Sequence, residues 1–286
     1  MQAINQIKMM PEDVSAKIAA GEVIENPASV IKELVENSID AGSKQIIVEI
    51  TDGGTKFIRV SDDGIGISKD QVGLAFQRFA TSKIVDWERF DRIETLGFRG
   101  EALPSIAAVS HVEMMTKTNE EDSGVKFVIR NGLIENKKAV GLSKGTSIVV
   151  RDLFANLPAR RKFLKGISAE ASRLFVVLNN YALAYPSIKF RLISNAKQVF
   201  ATNGSGNLRE VVSILLGLKV AESMLEIDSK AGQNQGAVTV TGLIGSAEIY
   251  RKTRKHMYIF VNGRWINNRP LSFMIQEAYK GFLPEG

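Results

Sequence analysis

Apolar residues recur first at helical spacing and then at alternate positions, and that change of period outlines the first module. Residues 12–25 and 28–40 read as helices. In the second, Val30, Ile31, Leu34, Val35 and Ile39 make one apolar stripe. Ser29 ahead of that run predicts the N-cap, and Gly42 the stop. Gln45–Thr51 and Lys56–Ser61 alternate as strands, with Asp52-Gly53-Gly54 predicting a hairpin turn between them. A glycine loop at Asp62–Gly66 leads to a helix at about Lys69–Arg78, whereas residues 79–100 have no clean period. A short helix at Glu101–Ala108 precedes strands near 110–117, 125–130, 133–139 and 146–151. Antiparallel strands backed by early helices predict an α+β sandwich.

After Leu153–Pro158 a long helix (168–184) opens a second mixed α/β module. Strands near 188–194, 197–202, 236–244 and 257–262 alternate there with helices near 206–217 and 271–282. The expected domains are therefore 1–152 and 153–286, the second with a βαβ crossover.

Charge sharpens this division. Residues 1–150 hold 18 Lys+Arg against 22 Asp+Glu, a balance of −4, while residues 151–286 hold 19 against 9, or +10. The basic half would attract a polyanion by releasing its counterions. The absence of cysteine excludes disulfides and thiolate metal sites, and His111 and His256 are too far apart in sequence to suggest a zinc centre. No apolar run approaches the roughly 18–20 residues that span a bilayer, so no membrane association is expected. No export signal opens the chain, which points to the cytoplasm, with nucleoid association in a bacterium.

Four stretches carry candidate chemistry. Glu33, Glu36, Asn37 and Asp40 fall at i, i+3, i+4 and i+7, on the helix face opposite the apolar stripe. Three acids there repel one another by roughly 0.2–0.5 kcal/mol per neighbouring pair, which a cation would offset. The Asn37 amide oxygen suits a hard metal such as Mg²⁺ beside phosphate oxygens and water. Asp62-Asp63-Gly64-Ile65-Gly66-Ile67 follows a strand; glycines let backbone approach a planar ligand, and a carboxylate can accept from an exocyclic amine. Thr81-Ser82-Lys83 and Leu96-Gly97-Phe98-Arg99-Gly100-Glu101-Ala102-Leu103 combine glycines with cations, as an anion site needs. Gly145-Thr146 opens a strand with a hydroxyl. Taken singly, these stretches also read as a solvated helix face, a turn and a surface loop.

In this order and spacing they resemble the GHKL ATPase superfamily, and no P-loop pattern occurs anywhere. The runs Ile18–Gly42, Ala80–Ile84, Thr95–Leu103, Asp152–Leu164 and Val261–Arg264 narrow the resemblance to the MutL family of DNA mismatch-repair proteins. The resemblance implies an ATP-dependent switch using ATP and Mg²⁺. Glu33 would be the general base, Asn37 the metal ligand and Asp62 the adenine reader, with Thr146 assisting. Gly64, Gly66 and Ile67 would lie along the base. Thr81, Ser82, Lys83 and Gly97–Leu103 (Gly97, Phe98, Arg99, Gly100, Glu101, Ala102, Leu103) would close over the phosphates as a lid spanning about 79–103.

The same resemblance implies that the arm at about Met1–Val14 orders on ATP binding and helps two copies dimerise. DNA would be bound through its backbone by Arg160, Arg161, Lys162 and Arg264. Mismatch-recognition and downstream repair proteins would be partners. Two departures stand out. Asp63 replaces the family's usual asparagine, adding charge beside the nucleotide. The chain also stops at Leu283-Pro-Glu-Gly286, before the loop whose lysine reaches the γ-phosphate in the family, so weak turnover is expected. The alternatives are a type II topoisomerase ATPase subunit, a histidine kinase, and an ATP-gated adaptor with negligible turnover.

Overall fold

The computed structural model describes residues 9–83, 95–97, 99–130, 132–230, 238–251 and 253–283. They form two compact units, Met1–Phe175 with Ile193–Lys197, and Val176–Leu192 with Gln198–Gly286.

The first unit opens with α1 (Glu12–Val23) and α2 (Pro27–Asp40). The cap of α2 is Asn26 rather than Ser29: its side chain accepts from the Ser29 N–H at 3.1 Å. Pro27 takes the first helical position, where a missing N–H costs nothing and the ring's φ already fits. Gly42 ends the helix as expected, at φ 71°. The strands are β1 (Gln45–Thr51), β2 (Phe57–Asp62), β3 (His111–Lys117), β4 (Gly124–Arg130), β5 (Leu133–Val140) and β6 (Gly145–Arg151). They lie in the order β5-β4-β3-β6-β2-β1, and the pairs β1–β2, β2–β6, β3–β6, β3–β4 and β4–β5 are antiparallel.

Alternation puts one face of each inner strand inside. Ile46, Val48 and Ile50 of β1, Ile58 and Val60 of β2, and Val112 and Met114 of β3 are buried. Val30, Ile31, Leu34 and Val35 of α2 are buried with them, and α2 packs on β1 and β2. Each such side chain contributes about 1.5–3 kcal/mol by leaving water. The edge strand β5 is exposed and carries Glu135, Lys137 and Lys138, charges that discourage edge pairing. Between β2 and β3 stand α3 (Val72–Ala75) and α4 (Ala102–Ala108). The helix expected over Lys69–Arg78 thus shortens to one turn. Gly73 lies inside it, and Phe79 beyond it holds φ 62°. A short α5 (Pro158–Lys162) and the first part of α6 (Ile167–Ala184) complete the unit.

The second unit takes the rest of α6 and most of the hairpin β7 (Lys189–Ser194) and β8 (Lys197–Ala201). It continues through α7 (Leu208–Leu216), α8 (Leu218–Glu222), β9 (Met224–Lys230), β10 (Thr239–Gly245), β11 (Ile259–Val261), β12 (Arg264–Ile266) and α9 (Arg269–Ala278). β9 pairs antiparallel with β10, and β11 with β12. The periodicity did not predict β9. Only Leu225 and Ile227 alternate within it, between acids and a lysine that blur the apolar pattern.

Candidate functional site

The first unit brings two of the predicted stretches onto α2. Asp62 ends β2 with its carboxylate largely withdrawn from solvent. The Ser38 hydroxyl donates to its Oδ2 at 2.8 Å, and the Gly64 N–H to its Oδ1 at 2.9 Å. Ser43 and the Thr146 backbone add further hydrogen bonds. Burial pushes the Asp62 pKa above the usual carboxylate value, and these hydrogen bonds only partly counter it. The result is a sheltered acceptor at a strand end, able to take a hydrogen bond from a flat heterocycle's amine.

The loop beyond is held by Thr116 of β3, which is fully buried. Its Oγ1 accepts from the Ile67 N–H at 2.8 Å, lies 3.1 Å from the Thr146 hydroxyl and donates to the Gly145 carbonyl at 3.2 Å. Two glycines are obligatory here. Gly66 has φ 75° and a Cβ would overlap the Lys117 carbonyl; Gly145 has φ 126° and a Cβ would overlap that of Asp62. Asp63 points elsewhere. Its Oδ1 accepts from the Lys44 and Gln45 N–H groups at 2.8 and 2.9 Å, which ties the carboxylate to the start of β1.

The second group lies on the polar face of α2. Lys83 Nζ donates to Asn37 Oδ1 at 2.8 Å and to Asp40 Oδ2 at 2.6 Å. The Leu96 and Gly97 N–H groups donate to Asp40 at 2.8 and 3.0 Å. Lys32 Nζ bridges Glu33 at 3.2 Å and Glu36 at 3.3 Å. The repulsion read from the sequence is therefore relieved by two lysines of the chain itself. Among the described residues no group of three His, Cys, Asp or Glu side chains could hold a metal ion. One amide oxygen at Asn37 nevertheless suits Mg²⁺, which binds through phosphates and water with few protein ligands. That oxygen already faces a cation, the Lys83 ammonium.

Other predicted residues are placed as follows. Thr81 Oγ1 accepts from the Lys83 N–H at 3.1 Å, and Ser82 is exposed. The Gly100 carbonyl accepts from the Phe79 N–H at 3.0 Å, and Arg99 is exposed. Glu101 is the N-cap residue of α4, with Ala102 and Leu103 in its first turn. Phe98 and residues 1–8 of the predicted arm lie outside the described residues. Of the predicted polyanion-binding residues, Arg161 and Lys162 are exposed on α5 in the first unit, and Arg264 is exposed in the second. Arg160 differs: its guanidinium donates to the Gly21 carbonyl of α1 and lies over the Phe154 ring, 5.6 Å from the centroid. It is an internal tie before it is a surface cation.

Sequence reading missed Ser38 and Thr116. Both leave a signal, since each is a polar residue on a buried face: Ser38 one turn after Leu34, and Thr116 in register with Val112 and Met114.

Residues 24–153 match the family described as histidine kinase-, DNA gyrase B- and HSP90-like ATPase, and residues 212–286 match the C-terminal domain of DNA mismatch repair proteins. The chain is 45% identical over 279 residues to the DNA mismatch repair protein MutL of Clostridium beijerinckii, covering 98% of this chain and 41% of that protein. It is 46% identical over 280 residues to that of Shouchella clausii, covering 98% and 42%. The chain thus spans less than half the length of these relatives. A solved structure of the Aquifex aeolicus MutL ATPase domain complexed with ADP is similar at a TM-score of 0.65 and 30% identity, covering 89% of this chain and 88% of that one.

Proposed function

The chain belongs to the MutL family of DNA mismatch-repair proteins, and from that membership we propose that it binds ATP on α2 and the Asp62–Ile67 loop and hydrolyses it slowly to ADP and phosphate. The observation that carries this reading is the sheltered Asp62 carboxylate, hydrogen-bonded to the very helix that presents Glu33 and Asn37. An ADP complex of a related domain supports it.

In this reading Asp62 accepts from the adenine amine, and Thr146 assists through its place beside Thr116. Gly66 and Ile67 let the backbone lie along the base. Asn37 would hold Mg²⁺, which when bound offsets the charge of the phosphates. Glu33 orients and deprotonates the attacking water, and its present partner is the half-exposed Lys32. Lys83, Gly97, Arg99 and the start of α4 receive the phosphates. ATP would act as a conformational switch that brings two copies together through the N-terminal arm. It would thereby couple mismatch recognition to downstream repair.

DNA would be held sequence-independently by Arg161, Lys162 and Arg264, with salt-sensitive affinity. Charge reversal at Arg264 is expected to weaken DNA binding in low salt, and unchanged affinity would remove that contact.

The deciding experiment is calorimetric titration with ATP and Mg²⁺ together with phosphate release. Glu33→Ala should retain nucleotide uptake and lose hydrolysis by about a hundredfold or more. A protein that takes up no adenine nucleotide would end the proposal, and hydrolysis unchanged by Glu33→Ala would end the role of Glu33.

A further inference from the structure

Asp40 is a heavily engaged carboxylate of the site, and nothing above assigns it a task. Its side chain is 6% exposed. Oδ1 accepts from the Leu96 N–H, and Oδ2 accepts from both the Gly97 N–H and Lys83 Nζ. One buried carboxylate at the end of α2 thus gathers two stretches, 43 and 56–57 residues further along the chain. The Lys83 ammonium so held is also on Asn37 Oδ1. Gly97 sits against the same atoms: a Cβ there would lie 3.3 Å from Lys83 Nζ and 3.5 Å from Asn37 Oδ1. A side chain at 97 would therefore press on the ammonium, and the bare backbone leaves it room.

We propose that Asp40 is a positioning residue for triphosphate binding, holding Lys83 and the Leu96–Gly97 backbone against α2 so that the ammonium stands beside Asn37. This rests on the nucleotide reading and adds to it how the cation is placed. A lysine otherwise swings through many rotamers, and fixing one costs side-chain entropy. A buried partner meets that cost before any ligand arrives. The carboxylate also cannot be replaced by its amide without penalty. Whichever oxygen the NH₂ of an asparagine replaced, it would face a donor, either the Leu96 N–H or the Gly97 N–H and the ammonium.

The sign of the effect makes the idea testable. On charge alone, removing a carboxylate next to a triphosphate should tighten binding, because a repulsion is lost. Positioning predicts the reverse. Titrations would use the non-hydrolysable imido analogue of ATP with Mg²⁺, on the unaltered protein, Asp40→Asn, Lys83→Met and the double variant. Asp40→Asn is expected to weaken uptake about tenfold, the scale of one charge-assisted hydrogen bond. In the Lys83→Met background the same change should cost less, since only the Leu96–Gly97 backbone is left for it to hold. Should Asp40→Asn not fold, Asp40→Glu keeps the charge and is expected to weaken uptake less than Lys83→Met does. Tighter or unchanged binding by Asp40→Asn overturns the proposal, as does an equal loss with and without Lys83. No uptake by the unaltered protein would fell the nucleotide reading itself, and this inference with it.

Discussion

The Ser38 hydroxyl donates to the Asp62 carboxylate at 2.8 Å while also reaching the Leu34 carbonyl at 3.1 Å. It joins the helix of Glu33 and Asn37 to the strand end that offers the acceptor. Position 38 is 3% exposed, so this hydrogen bond is sheltered from water and the Asp62 charge depends on it.

Nucleotide affinity should therefore fall on acidification at a pH above the usual aspartate value, because protonated Asp62 is a neutral, weaker acceptor for an amine and its pKa is raised by burial. Ser38→Ala removes a bond that favours the charged form, so the fall should move to still higher pH. The stability sign is opposite. With the folded pKa above the unfolded one, Asp62 favours the fold at low pH, and that contribution is lost as pH rises through the folded value. Calorimetric titration at several pH values checks the first effect, and denaturant unfolding the second.

Thr116→Val keeps the shape and removes the hydroxyl. The Ile67 N–H loses its acceptor and the Gly145 carbonyl a donor. Unsatisfied buried groups cost about 1–3 kcal/mol each, so unfolding midpoints in urea should drop accordingly. Affinity for adenine nucleotide should fall as well, because the loop that flanks Asp62 is no longer tied.

Gly145→Ala places a methyl on the Asp62 carbonyl at a φ of 126°. Backbone strain of this kind costs of order 1–3 kcal/mol before the overlap is counted. Thermal unfolding should show a clear loss of stability. Gly141→Ala nearby, with open space around it, serves as the control and should be close to neutral.

Arg160→Ala and Arg161→Ala should separate two roles that adjacent cations share in the sequence. Arg160 is bound to the Gly21 carbonyl and the Phe154 ring, so its loss should lower stability by about 1–3 kcal/mol. Arg161 is exposed, so its loss should leave unfolding within about 0.5 kcal/mol and reduce the salt slope of DNA binding. Melting curves and DNA titrations across salt distinguish the pair.

Much of the site was legible because it is local. Glu33, Asn37 and Asp40 share a face by helical geometry alone, and Asp62 with its glycines is one continuous loop after a strand. The apolar stripe of α2 and the alternation of β1, β2, β3 and β6 likewise state their own partners, since burial of one face dictates the α+β layering. Local signals misled where competing residues satisfied the same rule: Asn26 took the cap that Ser29 could have supplied, and Gly73 let the helix after Asp70 collapse to one turn.

Tertiary structure alone decided what each charge faces. Only folding turned Asp63 toward the Lys44 and Gln45 amides, brought Lys83 to Asp40, and sent Arg160 into the Gly21 carbonyl. Periodicity reports which side of an element is wet or dry, because hydrophobic burial has no direction. Hydrogen bonds and ion pairs act over about 3 Å and at fixed angles. Their partners, often forty or more residues apart, are therefore chosen only once the packed backbone has fixed where each side chain can reach.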